Sequence, residues 1–247
     1  MIRWIPLLLL AAPLSAQEGA AIVVLGEVHD SPEAHAEQAR LIAKIGPAAL
    51  VFEMLTPEQV AAAEGVPRSD ADGLEAAFGW ADTGWPDFAL YAPLFAAAPE
   101  AALYGAAVPR ATLMEVARGG SLAAYDLPPM DESTRAALIE EQDAAHCNAM
   151  PAEVLPGMVD AQRLRDWWFA DVALRALAES GPPVIVIAGT GHARTDVGIP
   201  AMIDHAAPEV TVWSLGQVEG APPEDAPFDA VRGLPFVDRP DPCAVFR

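Results

Sequence analysis

Two segments far apart in the chain follow the same pattern, and together they narrow the fold more than any other feature. Residues 21–35 read AIVVLGEVHDSPEAH and residues 184–196 read VIVIAGTGHARTD. Each is a short apolar run, a glycine, and then a loop that carries a histidine. Unbroken apolar runs of this length belong to strands buried on both faces, which is the signature of a parallel sheet. After the first run, Ser31, Pro32 and Glu33 read as a helix start, with an N-cap, a proline at the first helical position and an acid in the first turn. Open α/β sheets bind ligands in the crevice beyond the carboxyl ends of their strands. The two segments therefore predict one cleft that holds both His29 and His192.

The rest of the chain alternates in the same way. A helix is expected over Pro32–Ile45, with Leu41, Ile42 and Ile45 facing the core and Gly46-Pro47 ending it. Strands are expected at Ala49–Glu53, Ala102–Val108, Val184–Ala188 and Val210–Leu215. Shorter helices are expected at 57–64, 70–78 and 198–205, one from Trp85-Pro86 towards Ala98, and one from Arg110 to Arg118. Two longer ones are expected at Glu132–His146 and Pro156–Glu179. This is an α/β chain with a mainly parallel sheet and flanking helices. The helical stretch over about 111–180 exceeds a simple crossover and reads as an inserted helical cap layer. The α/β domain is expected over 17–218. Beyond it Pro, Asp and Glu accumulate without periodicity, which predicts an irregular tail over 219–247.

Composition limits the partners. The formal net charge is −21, which excludes nucleic acid, whose phosphates need a basic surface, and argues against docking on anionic lipid. Residues 1–16 read as a cleaved signal peptide, with Arg3 in front of an apolar run too short to anchor in a bilayer. That places the protein in the periplasm or outside the cell. Cys147 and Cys243 are an even pair, and in an oxidising compartment a disulfide is the default. The rival reading makes His146-Cys147 a pair of metal ligands.

The groups able to carry chemistry recur at strand ends. Glu27 and His29 follow the first strand, Glu53 the second, Arg110 the third, and His192 and Arg194 the fourth. A single loop histidine is more often a hydrogen-bond partner than a functional group; the repetition is what argues for a site. Gln162, Arg165 and Asp166 share one face of the long helix, either as a solvated stripe or as the polar lining of a covered cleft. His146 closes the preceding helix. Tyr91 lies among aromatic residues and reads either as packing or as a phenolate ligand to ferric haem. The zincin, dinucleotide, P-loop and serine-hydrolase motifs are all missing.

Leu25-Gly26-Glu27-Val28-His29-Asp30 with His35 and Gln38, the strand end Val51-Phe52-Glu53-Met54, and Ala188 to Arg194 resemble the ChaN-like haem-binding uptake family. That family is part of the Tiki superfamily, which has erythromycin-esterase-like relatives. Trp85-Pro86 with Tyr91 and Pro93, Pro109-Arg110, and the block from Met158 through Gln162 to Arg165-Asp166 extend the resemblance to most of the chain. It implies an α/β fold with a helical cap, and haem binding in bacterial iron uptake. ChaN-like members are often lipoproteins, whereas this chain has no lipidation cysteine, so no stable membrane anchor is expected.

Two functional expectations follow. In the first, haem enters between the strand ends and the cap. Tyr91, His29, His146 or His192 ligates the iron, Arg110, Arg165 or Arg194 pairs with propionates, and Glu53, Gln162 and Asp166 line the cleft. In the second, the protein is a hydrolase: Glu27 or Glu53 is general base, and His29 with His192 holds a divalent metal or orients water. The partners are haem or another small molecule, with a homodimer allowed.

Overall fold

The computed structural model describes residues 19–241, 243 and 244; the expected leader lies outside them. In chain order the elements are β1 (Ile22–Glu27), α1 (Pro32–Ile45), β2 (Ala49–Phe52), α2 (Pro57–Ala62), α3 (Ala71–Phe78) and α4 (Phe88–Ala97). There follow β3 (Ala102–Gly105), α5 (Arg110–Ala117), α6 (Glu132–Ala145), α7 (Leu155–Ser180), β4 (Val184–Gly189), α8 (Ile199–Ala206), β5 (Val212–Glu219) and β6 (Ala230–Leu234). The strands form one six-stranded sheet in the order β3-β2-β4-β1-β5-β6. Every pairing is parallel, so this is an α/β fold.

The local signals explain the elements. Ser31 caps α1 by accepting from the Ala34 N–H, and Gly46 ends it in the left-handed conformation at φ 62°, where a side chain would be strained. The central strands are apolar on both sides because both faces are covered. Val23, Leu25, Leu50, Phe52, Ile185 and Ile187 pack beneath α1, α3 and α4. Ile22, Val24, Val51, Val184 and Val186 pack beneath α7 and α8. Burying one such side chain fully contributes about 1.5–3 kcal/mol.

β1 and β4 are neighbours in the sheet, with Glu27 opposite Gly189. The chain leaves β1 towards the α1 face and leaves β4 towards the α8 face. Adjacent strands whose connections part in this way open a crevice at their carboxyl ends.

Three features differ from the sequence reading. The stretch read as an irregular tail contains β6, which pairs with β5 from Leu215–Ala230 to Glu219–Leu234. Arg232 secures it to α1 through Glu37 at 2.7 Å. A strand of alanine, valine, arginine and glycine shows little pattern of its own, and the backbone edge of β5 supplies the pairing. Second, α7 is not wholly a cap. Its C-terminal half, with Phe169, Ala173 and Ala176, packs on the sheet, and only its first half, with α5 and α6 against it, overhangs the strand ends. Third, Gly26 does not release the chain but lies inside β1, where a Cβ would come within 2.9 Å of the Leu215 carbonyl oxygen and the Thr190 Cα.

Cys147 and Cys243 form a disulfide, with Cα atoms 5.6 Å apart, so Cys147 is not a free thiolate ligand. No helix among the described residues is long and apolar enough to cross a membrane.

Candidate functional site

Two acid–histidine pairs stand side by side at the carboxyl ends of β1 and β4. The first is built on β1. Glu27 is its last residue and is 2% exposed, and its Oε1 lies 2.8 Å from Nδ1 of His29. The same oxygen accepts a hydrogen bond from the Tyr91 hydroxyl at 2.8 Å. His35, on α1, donates from Nε2 to the His29 carbonyl at 2.9 Å and turns Nδ1 towards Glu27 Oε2 at 3.7 Å. Trp85 packs on the His29 ring at a centroid distance of 4.9 Å. Glu27 is therefore an orienting group beneath His29 rather than a carboxylate facing the cleft.

The second pair joins the turn after β4 to the long helix. Nδ1 of His192 lies 2.6 Å from Asp166 Oδ1, and the ring meets Phe169 edge-on at 5.0 Å. Glu53, which follows β2, lies between the pairs. Its Oε2 accepts from the Gly189 N–H at 2.8 Å, and its Oε1 is 3.7 Å from His192 Nε2. Gly189 is where the pairs meet: a Cβ there would lie 3.0 Å from His29 Nε2 and 3.7 Å from Glu53 Oε2.

The electrostatics follow from burial against charge. Burial pushes the His29 imidazolium pKa down, but the hydrogen bond and charge of Glu27, with Glu53 behind it, raise it above its ordinary value. His192 is also raised, because Asp166 and Glu53 outweigh its burial. Burial raises Asp166, against the pull of His192. Burial and the nearby Glu27 carboxylate push the Tyr91 phenol well up. The cluster can thus take up, hold and pass a proton, the work of a general acid or base.

The other expected residues are dispersed. Tyr91 is 0% exposed and committed as a donor to Glu27, which runs against its reading as a phenolate ligand. Arg194 is held by Glu141 at 2.7 Å and by Asp196 at 2.7 Å, tying the turn after β4 to α6; of the partners open to the strand-end carboxylates, an arginine or a histidine, it is histidines that lie beside Glu27 and Glu53. Arg110 is exposed at the start of α5 and lines neither of the two cavities described next. Arg165 donates to Gln162 at 3.4 Å. The metal reading finds no support in the arrangement. Among the described residues, no three His, Cys, Asp or Glu side chains are grouped to hold an ion.

A cavity of about 90 Å³ lies between α6, α7 and the turn after β4, and His192, Asp166, Gln162 and Gln142 help to line it. Beyond Gln142 and Gln162 a second hollow of about 240 Å³ runs between α5, α6 and α7. Leu113, Met114, Ala117, Met158 and Ala161 form its apolar wall, with His146 and Arg165 at hand. His146 Nδ1 lies 2.8 Å from the Gln142 carbonyl. A carbonyl only accepts, so Nδ1 carries a proton, and in the neutral ring Nε2 is the nitrogen with the lone pair. Sequence reasoning missed Gln217, whose side chain donates to the Gly26 and Ala34 carbonyls. It lies past the expected end of the fifth strand, and no motif marks it.

The sequence matches the family described as haem-binding uptake, Tiki superfamily, ChaN, over residues 14–203. The chain belongs to this family. No curated protein sequence matches it. Among solved structures, this ChaN-family chain is similar to ChaN of Campylobacter jejuni, described by its cofacial haem binding. The identity is 19% over 87% of each chain, with a TM-score of 0.71. At that identity the likeness speaks for the fold. The type III effector HopBA1, at 16% identity over 82% of this chain and 79% of its own, gives a TM-score of 0.41. A succinoglycan biosynthesis protein, at 15% over 84% and 68%, gives 0.42. Neither carries an argument. The ChaN family is one of haem-binding uptake proteins.

Proposed function

We infer that this ChaN-family chain is an exported haem-binding protein, and that its porphyrin lies in the groove between α5, α6 and α7 with His146 as an iron ligand. The observation that carries the reading is the fixed tautomer of His146. Its Nδ1–H is committed to the Gln142 carbonyl, the arrangement that orients metal-bound imidazoles in general. His146 lines a groove walled by leucine, alanine and methionine, and Arg165, which lines it too, supplies a guanidinium for a propionate.

Small-molecule pockets enclose roughly 300–1,000 Å³; the cavity beside His192 holds about 90 Å³ and the groove about 240 Å³, so neither encloses a whole porphyrin. The larger groove takes one face of a macrocycle and leaves the other outward, which accords with the cofacial haems described for the Campylobacter jejuni protein and with a second copy covering the ligand. Haem bound here would supply an iron centre for carriage. The disulfide accords with an exported protein.

The test is a haemin titration of purified protein, followed by its Soret band. A saturating shift is expected, with affinity weakened about tenfold or more in His146→Ala and little changed in His29→Ala. A spectrum no different from haemin with an inert protein would remove the reading. Loss in His29→Ala alone would move the ligand to the cleft.

A second reading rests on the cleft. Asp166 orients His192, and Glu53 lies 3.7 Å from its free nitrogen, an arrangement suited to a general base for hydrolysis. A panel of ester and peptide substrates tests it. Turnover abolished by both His192→Ala and Glu53→Gln is expected; turnover that survives both variants removes it.

A further inference from the structure

The C-terminal segment skirts the carboxyl edge of the sheet and is anchored twice. After β6, the Val237 N–H donates to Glu219 at the end of β5. Arg239 then bonds both oxygens of Asp30, the residue after His29, at 2.8 and 2.9 Å, and both oxygens of Glu219 at 2.8 and 2.9 Å. Cys243 ends the run at Cys147, across a sequence separation of 96 residues. One segment therefore joins the β5 end, the loop that carries His29, and the end of α6.

The covalent anchor is next to the groove. Cys147 follows His146, the C-cap of α6. Cys147 and Asn148 are the non-glycine residues with positive φ among those described, at 63° and 53°. Asparagine tolerates that region and cysteine does so reluctantly. The turn after His146 is closed by the Cys147 and Asn148 N–H groups on the Ala144 and Asp143 carbonyls and is tied by the disulfide to a distant part of the chain. Both cysteines are partly exposed, so a dithiol can reach them.

We propose that the Cys147–Cys243 disulfide is a redox latch on the haem groove: oxidised, it fixes the wall that carries His146; reduced, it lets that wall and the C-terminal strap move and the ligand leave. The inference rests on the haem reading for its ligand. The partner reaction is thiol–disulfide exchange with a dithiol reductant. One thiolate attacks a sulfur of the bridge and forms a mixed disulfide, and the second thiolate displaces it. Cys147 and Cys243 take up two protons and two electrons, and the reductant becomes the disulfide. With the bridge cut, the strap keeps the Val237 hydrogen bond and the Arg239 ion pairs and loses its covalent tie to the end of α6.

The experiment compares oxidised protein with protein reduced by a phosphine, capped with iodoacetamide and freed of reductant. Cys147→Ser/Cys243→Ser serves as a second form that responds to neither reagent. Haemin-loaded samples are mixed with excess apo-globin, and hydrogen exchange is followed at residues 28–31, 143–148 and 235–241. Haem transfer on the order of tenfold faster is expected in the capped and double-serine forms, since a tethered contact becomes an untethered one, with faster exchange at 143–148 and 235–241. Equal transfer rates in all forms overturn the latch. If no form binds haemin, the haem reading falls by itself and the latch is judged on exchange: faster exchange at 143–148 after capping supports it, and unchanged exchange overturns it.

Discussion

His192 Nδ1 lies 2.6 Å from Asp166 Oδ1, with both side chains less than a tenth exposed, and this contact fastens the overhanging half of α7 to the turn after β4. The pair is a covering device as much as a chemical one. Without the carboxylate on α7, the imidazole would be buried beside Glu53 with one nitrogen unmatched.

Asp166→Asn keeps the shape and removes the charge. A loss of about 1–3 kcal/mol is expected, the cost of leaving a buried polar group badly paired, along with a fall in the His192 titration midpoint. Urea denaturation and the His192 Cε1–H resonance followed against pH measure the two. A midpoint that does not fall would show that Asp166 is not what raises it.

The raised pKa of His29 makes stability depend on pH in one direction. Its folded value lies above the ordinary 6.5, despite burial, because of Glu27 and Glu53. The folded state therefore binds the proton more tightly than the unfolded chain. That contribution is fully present below about pH 6.5 and is lost as pH rises through the folded pKa. Wild type should exceed His29→Gln in stability by more at about pH 5.5 than at about pH 8.5. Denaturation series at both values decide it, and the opposite slope would contradict the Glu27–His29 pairing.

Tyr91→Phe separates packing from ligation. The buried Glu27 Oε1 loses one donor and keeps His29, so a cost of about 1–2 kcal/mol is expected. The Soret band of the haemin complex should not move. A changed band would return Tyr91 to the iron.

Gly26 and Gly189 should respond unequally to alanine. At Gly26 a Cβ meets the Leu215 carbonyl oxygen and the Thr190 Cα, both backbone, at 2.9 Å; at Gly189 the nearest atom is His29 Nε2 at 3.0 Å, on a side chain that can turn. Gly26→Ala should cost about 1–3 kcal/mol or more and Gly189→Ala less. The latter should still disturb the His29 titration. Thermal melts and the His29 resonance give the comparison, and equal melting losses would mean that the strand relaxes freely at Gly26.

The sequence by itself determined the frame. Apolar runs at 22–25 and 184–188 had to be buried strands, Ser31 and Pro32 had to start a helix, and strands alternating with helices had to make a parallel sheet. It also marked Glu27, His29, Glu53 and His192, because polar residues repeatedly follow apolar runs, and Asp166, because it shares a helix face with Gln162 and Arg165. Local pattern carries such information because the hydrophobic period and the capping chemistry act within a few residues. Pairings between distant residues were decided only by the tertiary structure. Tyr91 became the donor to Glu27, Asp166 became the partner of His192, and Arg194 was drawn away to Glu141 and Asp196. β6 had no signal of its own and exists because β5 offers an unpaired edge. Which charge meets which depends on where helices packed on a sheet come to rest, and no residue carries that in its immediate neighbours.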